Sequence, residues 1–416
     1  MKLNLFTLLF LFAFMFLSCK KITDVVKQGT VKSTQTDFDV AVINSIKLTD
    51  GNFILAADDQ LEKHEGLLIK INGDGEIIWK KSVAPSIKII WSVIATLHNR
   101  FAVYGIDNYN SNNSFVCMYD ADGNLLFSDT LISGLANYEK TPNTFYQLSN
   151  GNYLIGGGRW IYGLYTTQTF DSTFHLLNSR TYSTPTTTWS LTYSKCITQL
   201  SDGNLAVAVE ACQSNAGPKR FIVTKTNQIG NLLTSNFFND SIESETVNAI
   251  IPYQDGFLSA SASMIGDISG TDGLNQGIGV NYYATFNSVG SLISGKIRLR
   301  TYNSSFQETG QSQLVGFPNN GMISSINNTS DGGFILCGTV DQLNTLLVQS
   351  PLKIYVAKVD ADLNLEWSQT IQSTYPSLGV NAFETTDGGY LITGFSKSFD
   401  KRFEPLIIKT DANGNY

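Results

Sequence analysis

Breaking a glycosidic bond takes two carboxylates within about 10 Å of each other, one as acid and one as base or nucleophile. This chain offers Asp107, Glu139, Glu210, Asp267, Asp272 and Glu384 for such a pair, and no spacing among them selects two. The histidines His64, His98 and His175 stand in unrelated contexts, and no HExxH, GxSxG or P-loop string occurs. Zinc-hydrolase, serine-hydrolase and nucleotide chemistry therefore have no motif to rest on. No metal ligand set and no cofactor is expected. The strings NGDGE, DADGN and DANGN alternate side-chain oxygens as calcium loops do, but lack the downstream bidentate glutamate. Aspartate and asparagine in so short a turn cap their own backbone instead. Cys117, Cys196, Cys212 and Cys337 have no CxxC spacing. A hairpin turning at Asp202-Gly203 would set Cys196 opposite Val209, too far from Cys212 for a disulfide, so buried free thiols are expected. The remaining chemistry is aromatic. Trp160, Tyr162 and Tyr165, followed by Tyr182 and Trp189, could stack on sugar rings or anchor a protein partner. The same rings could equally close the ends of a core.

The elements that must carry these groups repeat. A turn before an apolar strand recurs as LTDGNFILAA, LHNRFAVYG, LSNGNYLIGG, LSDGNLAVAV, YQDGFLSAS, TSDGGFILCG and TTDGGYLITG. Asp-Gly and Asn-Gly mark tight hairpins, whose central residues need positive φ. A second turn closes a later strand: INGDGEIIW, YDADGNLLF, FDSTFHLLN, TNQIGNLLT, FNSVGSLIS at Phe286, VDADLNLEW and TDANGNY. Each unit of about 50 residues thus reads strand A, tight turn, strand B, variable loop, strand C, tight turn, strand D. Seven four-stranded antiparallel units predict an all-β, seven-bladed β-propeller. The near-continuous apolar runs of strands B and C fit blades covered on both faces. The last unit stops before its strand D. Counting back 20 residues from Asp50, the interval seen from Trp79 to Asn99 and from Trp367 to Asp387, lands on Thr30. Residues 27–33 are therefore expected to complete the last blade and close the ring.

Composition fits a globular chain and an envelope address. Hydrophobic residues make up 42%, charged ones 15%, and the net charge is −7. That balance, with no basic stripe, argues against nucleic acid. Lys296, Arg298 and Arg300 alternate with apolar residues, as on one charged strand face. Lys2 precedes an apolar run from Leu3 to Leu17, shorter than the roughly 20 residues a spanning helix needs.

The run ends at Ser18-Cys19, which resembles the lipobox of Bacteroidetes-type lipoproteins. That resemblance implies a signal peptide over residues 1–18, lipidation of Cys19, a tether over 19–26 and one propeller over 27–416. With Lys20 and Lys21 after the cysteine, it implies a palmitate-bearing outer-membrane protein of the bacterial cell envelope. The repeats VDADLNLEW and INGDGEIIW resemble the tryptophan-docking blades of quinoprotein-like propellers, in which a Trp ending strand D locks adjacent blades. Phe127 replaces that Trp in the second unit, and Asn178, Thr234 and Ser294 depart from it. The vicinal cysteines common in the quinone-dependent members are missing. Fold resemblance does not carry function. Topology places the variable B–C and D–A connections on one face and the tight turns on the other. Insertions follow Met264 and Val340, with a further long connection over residues 300–320. Ligand binding is therefore expected on the variable face, with Trp160, Tyr162, Tyr165 and Trp189 as its aromatics. Two functions follow: a monomeric, non-catalytic binding or scaffold protein for a glycan or an envelope protein, or a carbohydrate-active hydrolase or lyase with a carboxylate pair on that face.

Overall fold

The computed structural model describes residues 31–33, 40–58, 66–107, 113–131, 144–159, 164–183, 191–212, 219–238, 244–264, 295–313, 321–340, 352–373, 375–397 and 403–416. These form seven four-stranded antiparallel sheets and no helix. Blade 1 comprises Ala41–Lys47, Phe53–Asp58, Gly66–Ile71 and Ile77–Ser82 as strands A to D. Blade 2 is Ile89–Thr96, Arg100–Ile106, Ser114–Asp120 and Leu125–Leu131, and blade 3 is Phe145–Gln147, Tyr153–Arg159, Leu164–Phe170 and Leu176–Ser183. Blade 4 follows with Leu191–Gln199, Leu205–Cys212, Lys219–Thr226 and Leu232–Phe238, and blade 5 with Ser244–Tyr253, Gly256–Met264, Gly295–Tyr302 and Glu308–Gln313. Blade 6 is Gly321–Asn328, Phe334–Val340, Lys353–Val359 and Leu365–Ile371. Blade 7 takes Ser377–Glu384, Tyr390–Lys397 and Phe403–Thr410 from the end of the chain, and its strand D is Val31–Ser33. Val31 faces Ile408 and Ser33 faces Leu406, so the ring closes in the register counted from Thr30.

Seven apolar clusters each span one blade boundary. Phe53, Leu55 and Ile69 of blade 1 pack on Leu391, Phe395 and Ile407 of blade 7, and the pattern repeats around the ring. Strands B and C are buried along their whole length in blade 1 and blade 6, since a neighbouring blade covers each face. Every fully buried Leu, Ile, Val or Phe contributes about 1.5–3 kcal/mol.

The C–D turns carry the blade-to-blade docking. Each opens with Asn or Asp, and that oxygen accepts N–H groups two and four residues on: Asp120 from Asp122 and Asn124, Asp360 from Asp362 and Asn364, Asp411 from Asn413 and Asn415. A positive-φ residue follows in all seven turns: Gly75, Gly123, Phe174, Gly230, Phe306, Leu363 and Gly414. At Gly123, Phe174 and Gly414 it meets the docking residue of the preceding blade, four places after that blade's own positive-φ residue. Trp79 lies over Gly123 and Trp367 over Gly414, so closely that an added Cβ would sit 2.8 Å and 2.6 Å from the indole. Where the docking residue is Thr234 or Gly310, the next turn supplies the bulk itself, as Phe306 and Leu363, both buried across the boundary. Phe127 and Phe174 stack at 5.9 Å. At these boundaries the bulk comes from the docking residue, from the next turn, or from both.

The structure corrects two details. Blade 5's C–D turn is not at Phe286; it is Asn303 to Gln307, with Phe306 at φ 62°. Strand C is then Gly295–Tyr302, so the long connection is 265–294 within the blade, the blade 5–6 connection is only 314–320, and the docking position is Gly310 rather than Ser294. The string FNSVGSLIS lies outside the described residues. Second, a β-bulge between Ser194 and Cys196 shifts the register, so Cys196 faces Ala208, not Val209.

Candidate binding site at the central channel

Strand A of every blade lines the central channel. In six blades it carries a bulge at the same place, between Val42 and Asn44, Ile90 and Ser92, Ser194 and Cys196, Val247 and Ala249, Ile323 and Ser325, and Gly379 and Asn381. Such a bulge re-aims the side chains beyond it. Past the bulges lies a cavity of about 500 Å³, walled by residues from all seven strands and reaching Lys47, Asn328 and Glu384 at the A–B turns. It therefore lies towards the tight-turn end.

Its wall alternates aliphatic and uncharged polar groups, with Ile46, Ile94, Ile197, Ile250 and Ile326 among Asn44, Ser325, Asn327 and Asn381. The amides tie neighbouring blades together. Asn327 donates to Asn381 Oδ1 at 2.6 Å and to the Ala382 carbonyl at 2.8 Å. Asn381 donates to the Ser45 carbonyl at 3.0 Å, and Asn44 reaches the Val93 carbonyl at 3.4 Å. Ser325 is also part of the wall, its Oγ buried with no hydrogen-bond partner. Lys47 and Glu384 are the two charged residues of the wall. Lys47 Nζ donates to the Glu384 carbonyl at 2.6 Å. The Glu384 carboxylate accepts both the N–H and the hydroxyl of Ser330 at 2.7 Å.

That tie belongs to a recurring set on the tight-turn face. The last residue of strand A reaches back to the preceding blade's turn: Gln147 Oε1 accepts from Leu97 N and Gln199 Oε1 from Ser149 N. A lysine near the end of strand C pairs with the aspartate of its own A–B turn: Lys70–Asp50 at 3.2 Å, and Lys225–Asp202, Lys358–Asp331 and Lys409–Asp387 each at 2.8 Å. Lys358, only 2% exposed, also meets Glu366 at 3.0 Å. Its ammonium and the Thr329 hydroxyl hold the Asp331 carboxyl well below the usual range. At Asp387 partial burial opposes the shift, yet bonds from Lys409, Thr385 and the Gly389 N–H bring it to about 2. Lys70 and Lys225 bridge further, to the Ala121 and Ser304 carbonyls of the next blades. These lysines read in sequence as polar strand residues; their shared position before the C–D turn was the available signal.

The sequence-derived candidates divide into described and undescribed residues. Trp160, Tyr162 and Trp189 lie outside the described residues, as do Cys19, Glu139, Asp267, Asp272 and His64. Tyr165 is 1% exposed; it stacks on Tyr182 at 5.0 Å and hydrogen-bonds Thr224 of blade 4. Burial pushes its phenol up to about 12. Tyr182 donates to the Gly230 carbonyl at 2.6 Å. Both rings are core between blades 3 and 4. Arg300 of the charged strand face is likewise 4% exposed, paired with Glu308 at 2.9 Å. Among the carboxylates, Asp107 follows strand B on the variable face, whereas Glu384 ends strand A on the opposite face, so these two cannot form a pair. Cys117, Cys196 and Cys337 are free and buried, and burial raises the thiols of Cys117 and Cys337, which disfavours the thiolate. Among the described residues no cluster of three His, Cys, Asp or Glu could hold a metal ion.

Neither a family model nor a curated protein matches this chain. Solved structures do. An ulvan lyase from a new family of polysaccharide lyases is similar at a TM-score of 0.60 and 9% identity, over 92% of this chain and 96% of that one. The same type of lyase bound to a GlcA(1-4)Rha3S unit is similar at 0.59 and 10%, over the same shares. A protein of unknown function from Dyadobacter fermentans gives 0.49 and 11%, over 92% and 98%. At such identities the likeness is one of fold.

Proposed function

We propose that this chain is a lipid-anchored protein of the bacterial cell envelope, at the outer membrane, whose propeller is a non-catalytic binding or scaffold module for a glycan or a protein partner. The observation that carries the reading is the channel wall. Aliphatic faces interleaved with amides and hydroxyls match a sugar, which offers C–H faces and neutral hydroxyls, and about 500 Å³ suits a small ligand. The variable connections of the other face are proposed as a second contact zone, with Trp160, Tyr162 and Trp189 as its candidate aromatics. Because propellers of this shape include a polysaccharide lyase, acidic polysaccharides join neutral ones as ligands to try.

The test starts with a glycan array and continues by calorimetric titration of the best ligand. Ser325→Leu fills the channel, and Trp160→Ala with Trp189→Ala strips the variable face. At least one change is expected to weaken binding by roughly 30-fold, as loss of a 2 kcal/mol contact does. Asn124→Ala in a tight turn leaves affinity unchanged. Turnover of a polysaccharide, abolished by substituting Asp107 or another variable-face carboxylate, would replace this reading with the enzymatic one. Cys19→Ala is expected to release the protein from membranes into the soluble fraction; unchanged sedimentation would reject the anchor.

A further inference from the structure

Ten large hydrophobic residues are strongly exposed among the described residues, and all sit at the tight-turn end. Two devices produce them. Strand D is the outermost strand, and its first two residues leave the C–D turn with no blade beyond them. Blades 2 to 4 fill those two places with Leu125–Leu126, Leu176–Leu177 and Leu232–Leu233, each 46% to 55% exposed. Blade 1 adds Ile78 at 51%. The turns contribute Leu97 at 56% and Ile229 at 57%.

The ring is not symmetric in this respect. Blade 5 places Glu308 and Thr309 at the same two positions, and blade 6 places Glu366 at the second. All seven turns are described, so the difference is one of residue type. Nothing about folding asks for it. Exposed leucines at a sheet edge invite aggregation, and charges there would be the ordinary protection.

The N-terminal segment meets the ring at the same end. In blades 1 to 6 strand D runs from the C–D turn towards the variable face, and Val31–Ser33 occupies that place in blade 7. Val31, the first described residue of that strand, therefore lies at the tight-turn rim, on the blade that adjoins blade 1, where the aliphatic arc begins. Residues 20–30 can span at most roughly 36–40 Å. A lipid at Cys19 would hold the ring by that rim, with the rim in reach of the membrane.

We infer that the tight-turn rim of blades 1 to 4 is a lipid-contact surface, with its aliphatic pairs seated in the headgroup and acyl boundary of the anchoring membrane. This rests on the lipid-anchor reading. Aliphatic pairs spaced along a rim suit a fluid apolar partner, and shallow insertion of such side chains is how peripheral surfaces supplement one acyl anchor. Blades 5 and 6, with Glu308 and Glu366, tilt away, and the variable face points into the surrounding compartment.

The experiment uses the full lipidated chain bound to vesicles of phosphatidylcholine and phosphatidylglycerol. An environment-sensitive thiol probe is placed at Leu177→Cys, Leu233→Cys or Thr309→Cys, with the unsubstituted chain as labelling blank and melting curves as a check on folding. Brominated lipids should quench the probe at 177 and 233 at least about twofold more than at 309. Equal quenching at the three sites, or none while the chain stays bound, overturns the surface and leaves the anchor standing. A chain that washes off the vesicles removes both. A solution dimer broken by Leu177→Asp, with quenching unequal only in that dimer, would assign the rim to a second copy and end the lipid reading.

Discussion

The trade of bulk between docking residue and turn makes a sharp energetic prediction at the boundary between blades 4 and 5. Phe306 is completely buried, edge-on to Phe257 at 4.9 Å, yet holds φ at 62°. Truncating a buried Phe costs about 3–5 kcal/mol, and a non-glycine residue at positive φ is strained by about 1–2 kcal/mol. Phe306→Gly loses the ring but sheds the strain, so it should cost about 2–3 kcal/mol. Phe306→Ala loses the ring and keeps the strain, so it should be the worse of the two by about 1 kcal/mol, reversing the order found within a regular strand. Thr234→Trp alone crowds an indole against Phe306 and should destabilise by about 1–3 kcal/mol. The double change recreates the Trp-on-Gly pairs of Trp79 with Gly123 and Trp367 with Gly414. It should therefore recover part of what Phe306→Gly loses. Urea unfolding of the four chains reads the coupling, expected to exceed about 1 kcal/mol with a stabilising sign. Additive effects, or Thr234→Trp destabilising equally in both backgrounds, would refute volume exchange as the docking rule.

Two further outcomes follow. Asp387 titrates near 2 in the folded chain, below the ordinary aspartate value, so its ion pair with Lys409 adds stability above pH about 4 that fades as pH falls towards 2. Stability curves of the parent and Asp387→Asn should then be apart at neutral pH and converge in acid; a gap constant from pH 6 to 2 would show that the carboxylate charge is irrelevant. A chain beginning at Asp37 lacks Val31–Ser33 and leaves Phe403–Thr410 as an open edge, so it should aggregate or unfold over a broader denaturant range. Melting identical to that of a chain beginning at Lys20 would remove ring closure by this strand.

The fold was legible because its turns are chemically loud. Asp50-Gly51, Asp202-Gly203 and Asp331-Gly332 announce hairpins without any knowledge of the rest. Blade 5 shows where that stops. Its glycine-bearing string at Phe286 carries the stronger local signal, and the true turn, Asn303-Ser304-Ser305-Phe306, puts a phenylalanine where the other turns invite glycine. Tertiary burial fixed that conformation, and a local reading cannot see a neighbour's pocket. The bulges before Asn44 and Asn381 were invisible for the same reason: nothing in their composition differs from plain strand. The channel site therefore had no sequence signature. Its amides are scattered at spacings set by the ring, while the aromatics that did stand out include Tyr165, which the blade 3–4 boundary absorbs.

Closing the ring with Val31–Ser33 has a consequence in time. Val31–Ser33 leaves the ribosome before every other described strand, and its partner Phe403–Thr410 after all of them. At synthesis rates of roughly 5–20 residues per second, the two are apart for on the order of 20–80 s. Blades 1 to 6 can assemble in order of appearance during that interval, but the flank of blade 1 cannot. Phe53, Leu55 and Ile69 wait for Leu391, Phe395 and Ile407. A holding chaperone acting on this chain would find its longest-lived apolar target on that flank, in the first blade made and the last to be covered.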